Sequence, residues 1–316
     1  MKYDDYLMVQ NEINNNVDSL KRRSILISVL RFLIMMGCLF CLLIGYFFSR
    51  EYLYVVALVM VVLFSYLIYL HGQVTDQLMY FKAKLSVINN YLDRFEGKWH
   101  SFEETGINYV DKISGLMKDL DLVGNNSLFQ YLNTASTRRG KVKLLHKLTR
   151  RDYDISNLIE EQEAVKELGN NDTFVIDVET YGKMIRKPKF VEKTIEEFVD
   201  GITDYQVGYD LKLLLIFIPI LTIIMFLMFV FNVSFKISVI AVVVLIFGQW
   251  ISTLIFLSRH SKIFKQVSDL SKCLNSYQNI CRLTLQTTFT SNHLNKLKNQ
   301  LNQAHEAFDE LKKMKH

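Results

Sequence analysis

Four apolar runs, arranged as two closely spaced pairs, constrain this chain more than any other feature of its sequence. The runs are Ile25–Phe48 and Tyr52–Leu70, followed by Leu213–Phe231 and Ile237–Leu257. Each has 19 to 24 residues, and about 20 helical residues cross the hydrocarbon core of a bilayer. Because a single apolar segment satisfies its backbone hydrogen bonds in lipid only as a helix, we predict four transmembrane helices.

The basic residues near the ends of these runs predict how the chain is oriented. The connections 49–51 and 232–236 are short, so each pair must turn straight back as a hairpin. Those turns carry one cation each, Arg50 and Lys236. The other flanks carry eight: Lys21, Arg22, Arg23, Lys82, Lys84, Arg259, Lys262 and Lys265. Since cationic flanks stay on the cytoplasmic side, we expect a multi-pass protein of the cell membrane with both termini in the cytoplasm.

The predicted fold class is an all-α integral membrane protein in five segments. They are a cytoplasmic leader at 1–24, a first hairpin at 25–70, a cytoplasmic helical module at 71–210, a second hairpin at 211–257 and long cytoplasmic helices at 258–316. The chain has only 2 Pro in 316 residues, which favours long uninterrupted helices. Few polar residues interrupt the apolar runs, chiefly Arg31 and Gln249, so an anchor is favoured over a transporter.

Two heptad patterns predict packed helices outside the membrane. One pattern follows the apolar run Tyr52–Leu70, and the other lies near the C-terminus. In both patterns apolar residues recur in alternating steps of three and four. The positions are Leu78, Phe81, Leu85, Ile88, Leu92 and Phe95, then Leu294, Leu297, Leu301, Ala304, Phe308 and Leu311. Val267, Leu270, Leu274, Tyr277 and Cys281 extend the second pattern upstream. Either a bundle within the chain or a dimeric coiled coil would bury these stripes.

Between the hairpins, residues 116–168 read as several short helices. Asn126 or Ser127 can cap a helix that contains Tyr131 and Leu132. Gly140 is expected to interrupt the next helix, whose apolar face resumes at Val142. A further amphipathic helix is predicted from Ile155 to Leu168.

This same stretch resembles the start of the core domain of the MutS family, and most closely its membrane-anchored bacterial branch. The resemblance is carried by DLDL at 119–122, NSLFQYLNT at 126–134, TRRG at 137–140, LL at 144–145 and IEEQEAV at 159–165. The chain departs from the family pattern at Thr149-Arg150-Arg151, where a proline is usual, and at Glu161, where an arginine is usual.

The resemblance implies a part of a DNA-repair ATPase, here without the ATPase domain. No G-x-x-x-x-G-K-[ST] run occurs in this sequence, so the chain is not expected to be an enzyme. No cofactor is expected either, and ATP with Mg²⁺ would require an attached family ATPase domain. Where the family has a DNA clamp at the end of long lever helices, this chain has the second apolar hairpin.

A cluster of cations in the module is the candidate binding surface. No acidic residue lies between Asp121 and Asp152. The cluster comprises Arg138, Arg139, Lys141, Lys143, Lys147, Arg150 and Arg151, and a smaller group comprises Lys183, Arg186, Lys187 and Lys189. Such cations suit nucleic-acid phosphates or anionic lipid headgroups, or they pair with the glutamates at 160–167.

Two functions from different classes therefore remain open. The first is a non-catalytic, membrane-tethered part of a MutS-related protein that couples a separate ATPase domain to the membrane and contacts DNA without sequence specificity. The second is a membrane scaffold that forms homodimers through its heptad helices and has no role with nucleic acid.

Overall fold

A computed structural model describes residues 1–48, 50, 52–110, 117, 119–149, 155–185 and 272–313, together with six isolated positions between 217 and 248. The chain divides into two compact units, Met1–Ile185 with Leu274–His316, and Arg186–Cys273. The architecture given below is that of the first unit. The second predicted hairpin lies outside the described residues apart from those isolated positions.

The described part of the chain consists of helices and turns and contains no strand, which confirms the all-α prediction for these residues. Two helices form a long hairpin, α1 (Tyr3–Phe47) and α2 (Tyr52–Phe95). Six shorter helices follow: α3 (Leu128–Leu132), α4 (Arg138–Thr149), α5 (Ile155–Gly169), α6 (Asp172–Met184), α7 (272–286 as described) and α8 (Asn292–Lys313). Single 3-10 turns lie at Lys98–Ser101 and Ile107–Tyr109.

Helix α1 begins at Tyr3, so most of the segment 1–24 and the first apolar run belong to one continuous helix. The backbone N–H of Lys2 donates to the Asp5 carboxylate at 2.7 Å, and Asp4 and Asp5 lie in the first turn, where the helix dipole favours negative charge. No proline interrupts α1 or α2. At 1.5 Å per residue, each helix is therefore roughly 65 Å long.

One continuous heptad seam joins α1 to α2 over nearly their whole length. The seam positions recur in steps of four and three, and none of their side chains is exposed. On α1 they are Ile13, Val17, Leu20, Ser24, Ile27, Arg31, Ile34, Cys38, Cys41 and Gly45. On α2 they are Leu53, Ala57, Met60, Phe64, Leu67, His71, Val74, Leu78, Phe81, Leu85, Ile88 and Leu92. The predicted stripe is thus covered by α1 within the same chain from Leu78 to Leu92, whereas its last residue, Phe95, is 56% exposed.

The end of the hairpin near residues 1–24 holds the main core. Tyr6, Ile13 and Val17 of α1 pack with Val87, Ile88 and Leu92 of α2 and with Ile176 of α6. Val87 and Ile88 are fully buried. Helix α6 thereby becomes the third helix of a small bundle, although sequence reasoning did not identify it.

A second core organises the segment 98–149. Phe129 is fully buried and packs with Leu122, Val123 and Leu145. Gly106 has φ +84°, and a Cβ atom there would lie 2.8 Å from Cδ1 of Phe129. The left-handed backbone and the ring therefore both require glycine at this position.

Local capping fixes the helices of this segment. The side chain of Ser127 accepts from the backbone N–H of Gln130 at 3.2 Å, which makes Ser127 the cap of α3. The hydroxyl of Thr137 accepts from the backbone N–H of Gly140 at 3.1 Å, so α4 begins at Arg138. Gly140 therefore lies inside the first turn of α4, and the expected interruption there is wrong.

Helices α7 and α8 are separated by a non-helical stretch at 287–291, so the predicted heptad rhythm is not one continuous helix. Both carboxylate oxygens of Glu167, near the end of α5, accept from the backbone of this stretch. The Thr290 N–H lies at 2.6 Å and the Ser291 N–H at 2.8 Å. These hydrogen bonds lower the pKa of Glu167 and join α5 to the beginning of α8.

Candidate functional site

The basic cluster of the module forms an exposed face on α4. Arg138, Arg139 and Lys143 are exposed, and so is His146. Arg139, Lys143 and His146 are spaced four and three residues apart, which places them on one side of the helix. This face can attract phosphate groups electrostatically.

Two other lysines of the cluster are paired with carboxylates of neighbouring segments. Lys141 is 3% exposed, and its Nζ lies 2.7 Å from the Glu104 carboxylate and 3.2 Å from the Tyr109 hydroxyl. Lys147 pairs with Glu161 of α5 at 2.5 Å. Lys141 therefore holds the segment 98–149 together, and Lys147 contacts the glutamate-rich helix. Arg150 and Arg151 lie outside the described residues, as do Arg186, Lys187 and Lys189.

A second polar cluster, which sequence reasoning missed, lies where α6 packs on α2. Asp177 accepts from the Tyr80 hydroxyl at 2.9 Å and from Lys84 Nζ at 2.7 Å. Burial and the neighbouring carboxylate raise the pKa of Tyr80 above its ordinary value. The pair Lys84–Asp177 is about four-fifths buried, so solvent screens it only partly.

Glu179 is the second acid of this α2–α6 cluster. Its carboxylate accepts from the Tyr91 hydroxyl at 2.6 Å. Burial raises the pKa of Glu179, and hydrogen bonding from Tyr91 with the charges of Arg94 and Lys183 only partly opposes this. Burial also lowers the pKa of Lys183, whose Nζ donates to the Ser86 hydroxyl at 2.9 Å. Charged groups on both helices are thus taken out of water and paired across the contact.

Arg94 continues this cluster into the module. Its Nε donates to the carbonyl oxygen of Tyr131 at 2.8 Å, and its Nη2 donates to that of Asn133 at 3.1 Å. The guanidinium also lies 5.1 Å from the ring centre of Phe102. One side chain at the end of α2 therefore binds the free carbonyl end of α3 and the loop that precedes it.

The sequence contains a start signal for α6, one of the two helices that form this cluster. Asn171 accepts from the backbone N–H of Phe174 at 3.2 Å and so caps α6, and an asparagine before an amphipathic stretch is a helix-start signal. Nothing in the local sequence pairs Glu179 with Tyr91, since 88 residues separate them.

Comparisons with known proteins identify no family for this chain. No family model, no curated protein and no solved structure matches the chain significantly. Among the described residues, no three His, Cys, Asp or Glu side chains come together as metal ligands would. Two described helices, α1 and α2, are long and apolar enough to cross a membrane, as judged from length and composition.

Proposed function

We propose that this chain anchors a cytoplasmic helical module to the cell membrane, with α1 and α2 as the first of two transmembrane hairpins. The observation that carries the proposal is that many apolar side chains of residues 25–70 are exposed. Phe40, Phe47 and Leu58 are each more than 60% exposed. In the most apolar 18-residue stretch of α1 none of the residues is buried, and in that of α2 11% are buried. The core helix of a soluble protein would instead bury its apolar side chains.

The continuity of α2 supports a mechanical role for this anchor. Helix α2 runs without a break from the apolar turn to Arg94, which holds the module through α3. Residues 71–95 add roughly 37 Å of helix beyond the apolar run. A helix stiffened by the seam and by α6 can carry a displacement over that distance.

We further propose that the displacement originates in an ATPase domain absent from this chain, as the resemblance to the MutS core implies. That part of the proposal rests on the quoted residues at 119–165 alone. This chain would then be the non-catalytic, membrane-tethered portion of such a protein.

The anchor is tested by the accessibility of introduced cysteines in intact cells. Arg50→Cys places a thiol in the hairpin turn, and Lys98→Cys places one in the module. A membrane-impermeant maleimide should label the turn in intact cells, and the module only after permeabilisation. Labelling of both before permeabilisation would refute the topology. The unsubstituted chain, with its four native cysteines, is the control.

The exposed face of α4 is the proposed contact for nucleic-acid phosphates or lipid headgroups. Arg139→Glu with Lys143→Glu reverses two exposed charges on α4 without touching the buried Lys141. Binding of the detergent-purified chain to duplex DNA and to anionic vesicles should weaken for one ligand, with a shallower salt dependence. The matched control is Lys98→Glu with Lys166→Glu. Unchanged binding to both ligands would remove this face from the proposal.

A scaffold that dimerises through α8 is the second candidate, and one observation favours it. The stripe on α8 is incompletely covered, since Leu297 is 40% exposed. Leu297→Glu should convert a dimer to a monomer in detergent, as measured by light scattering. Asn299→Glu, on an exposed position of the same helix, is the control. A monomeric unsubstituted chain would refute this candidate.

A further inference from the structure

Two positions of the α1–α2 seam, Arg31 and His71, each carry one buried side-chain nitrogen without a hydrogen-bond partner among the described residues. These atoms are the Nε of Arg31 and the Nδ1 of His71. A buried polar group without a partner is costly. Such an atom in a native structure calls for a ligand, an ordered water or an ion.

The two nitrogens belong to neighbouring layers of the seam. A Cβ on Gly45 would lie 3.4 Å from Leu53 Cβ, and one on Gly37 would lie 3.4 Å from Met60 Cε. The residue numbers of facing positions therefore sum to 97 or 98. In that register His71 faces Ile27, one seam step of four residues, or about 6 Å, from Arg31. The Arg31 guanidinium lies 5.4 Å from the ring centre of Phe64, on the side of the seam toward α2.

The depth of this pair matches the inner boundary of the proposed membrane span. Arg31 lies six residues inside the apolar run that begins at Ile25, or about 9 Å along the helix. His71 follows the end of the other run at Leu70. An arginine at such a depth can extend to the headgroup level along its aliphatic stem.

The charges around this level favour an anion. Arg22 and Arg23 are exposed on α1, on the N-terminal side of Arg31. Lys21 is also exposed and pairs with Asp18 at 3.0 Å. The facing part of α2 contributes one exposed acid, Asp76. The local balance is therefore positive, as in the basic sites between transmembrane helices that hold lipid headgroups.

We propose that Arg31 and His71 form a binding site for the phosphate of an anionic phospholipid in the cytoplasmic leaflet. The planar guanidinium donates two parallel hydrogen bonds to phosphate oxygens, and an imidazole N–H supplies a further donor. The residues that flank the seam at this level, Leu63 and Ile68, are apolar and exposed, which suits an acyl chain and would give nothing to free phosphate. This inference rests on the proposed membrane anchoring.

Native mass spectrometry of the full chain, released from micelles with equal phosphatidylglycerol and phosphatidylcholine, tests the site. The unsubstituted chain should retain phosphatidylglycerol in preference to phosphatidylcholine. Arg31→Gln should reduce that preference about tenfold, as expected for the loss of a charge-assisted pair. Arg31→Lys, which keeps the charge but not the fork, should reduce it less, and His71→Phe should also reduce it. Arg50→Gln, at the opposite end of the hairpin, should leave it unchanged.

Three outcomes would overturn the proposal. They are equal retention of the two lipids, an unchanged preference in Arg31→Gln, and displacement of the lipid by millimolar inorganic phosphate. Retention of helical circular dichroism in Arg31→Gln excludes misfolding as the cause of a lost preference. Resistance of the membrane-bound chain to alkaline extraction tests the anchor itself, so failure of the lipid site and failure of the anchor give different results.

Discussion

The two ends of the α1–α2 hairpin share one heptad seam but pack in different ways. At the end near residues 3–24 and 71–95, the seam is closed by large apolar side chains such as Ile13 and Ile88. At the other end the close contacts involve small residues: Ala57 is 3% exposed, and Gly45 is buried. The outward faces differ as well, because large apolar side chains such as Leu26 and Phe40 are exposed at most outward positions along 25–70 and at few positions of the other end.

The proposed membrane anchoring of 25–70 accounts for this difference, because it places the two ends in different solvents. In water, burying large apolar side chains is what drives two helices together. In lipid that driving force is absent, so helices associate through close packing, which small residues permit. One pair of helices thus follows two packing rules, and the change from one rule to the other lies near residues 25 and 70.

The largest expected effect comes from truncating the core of the water-exposed end. Ile88→Ala should lower the free energy of unfolding by about 2–5 kcal/mol, because Ile88 is fully buried and its removal leaves a cavity. Denaturant titration of the purified chain measures this change. Leu43→Ala, at a position 57% exposed, should have almost no effect on the same transition. Equal losses in both variants would contradict the two-rule description.

An exposed charge should separate the two ends next most clearly. Leu39→Asp introduces a carboxylate on the apolar surface, and Met8→Asp does so at the other end. Both positions are exposed, at 50% and 67%. The first should oppose membrane insertion by about 2.5–3.5 kcal/mol, and the second should be neutral. A glycosylation-based insertion assay checks both, and equal tolerance would mean that 25–48 does not face lipid.

Enlarging a small seam residue should have a smaller effect. Ala57→Leu forces extra methyl groups into the close contact with α1, where Cys38 Sγ lies 3.7 Å from the Ala57 carbonyl oxygen. Overpacking of this kind costs about 1–3 kcal/mol. Cross-linking yield between cysteines on α1 and α2 measures the separation. Leu58→Phe, on the exposed neighbour, is the control, and a loss equal to that of Ala57→Leu would show that close packing is not the cause.

The smallest expected effect is a pH dependence confined to the water-exposed end. The pKa of Glu179 is raised in the folded protein above the ordinary 4.5, so the native state binds more protons than the unfolded state between those two values. Stability should therefore fall as pH rises from 4.5 through the raised pKa. Glu179→Gln keeps an acceptor for Tyr91 and should flatten this part of the profile. An unchanged profile would assign the pH dependence to other groups.

Local sequence patterns predicted several features of the elements outside the apolar runs. The period of the stripe from Leu78 to Leu92 predicted a helix that continues past the apolar run, because seam residues on a helix must recur every three to four positions. The cap at Ser127 was equally readable. The expected break at Gly140 was wrong, because the Thr137 cap stabilises the turn that contains this glycine.

Local patterns did not predict which charged side chains are buried and which are exposed. Lys141 and Lys143 are two residues apart in a basic stretch, yet the first is buried against Glu104 and the second is exposed. Their spacing on a helix places them on different sides, and only the position of the 98–110 segment decides which side is buried. The basic cluster therefore appeared larger in the sequence than the face that α4 presents.

The sequence by itself determined that the described chain is helical and that the stretch 25–70 has two runs apolar enough for lipid, because composition and period act over neighbouring residues. Only the tertiary structure decided that the seam from Leu78 to Leu92 is closed within the chain. It also decided that Glu179, Arg94 and Lys183 meet at one contact. The contact at Glu179 joins residues 88 positions apart, and no local pattern encodes which distant side chain will supply the missing hydrogen bond or charge.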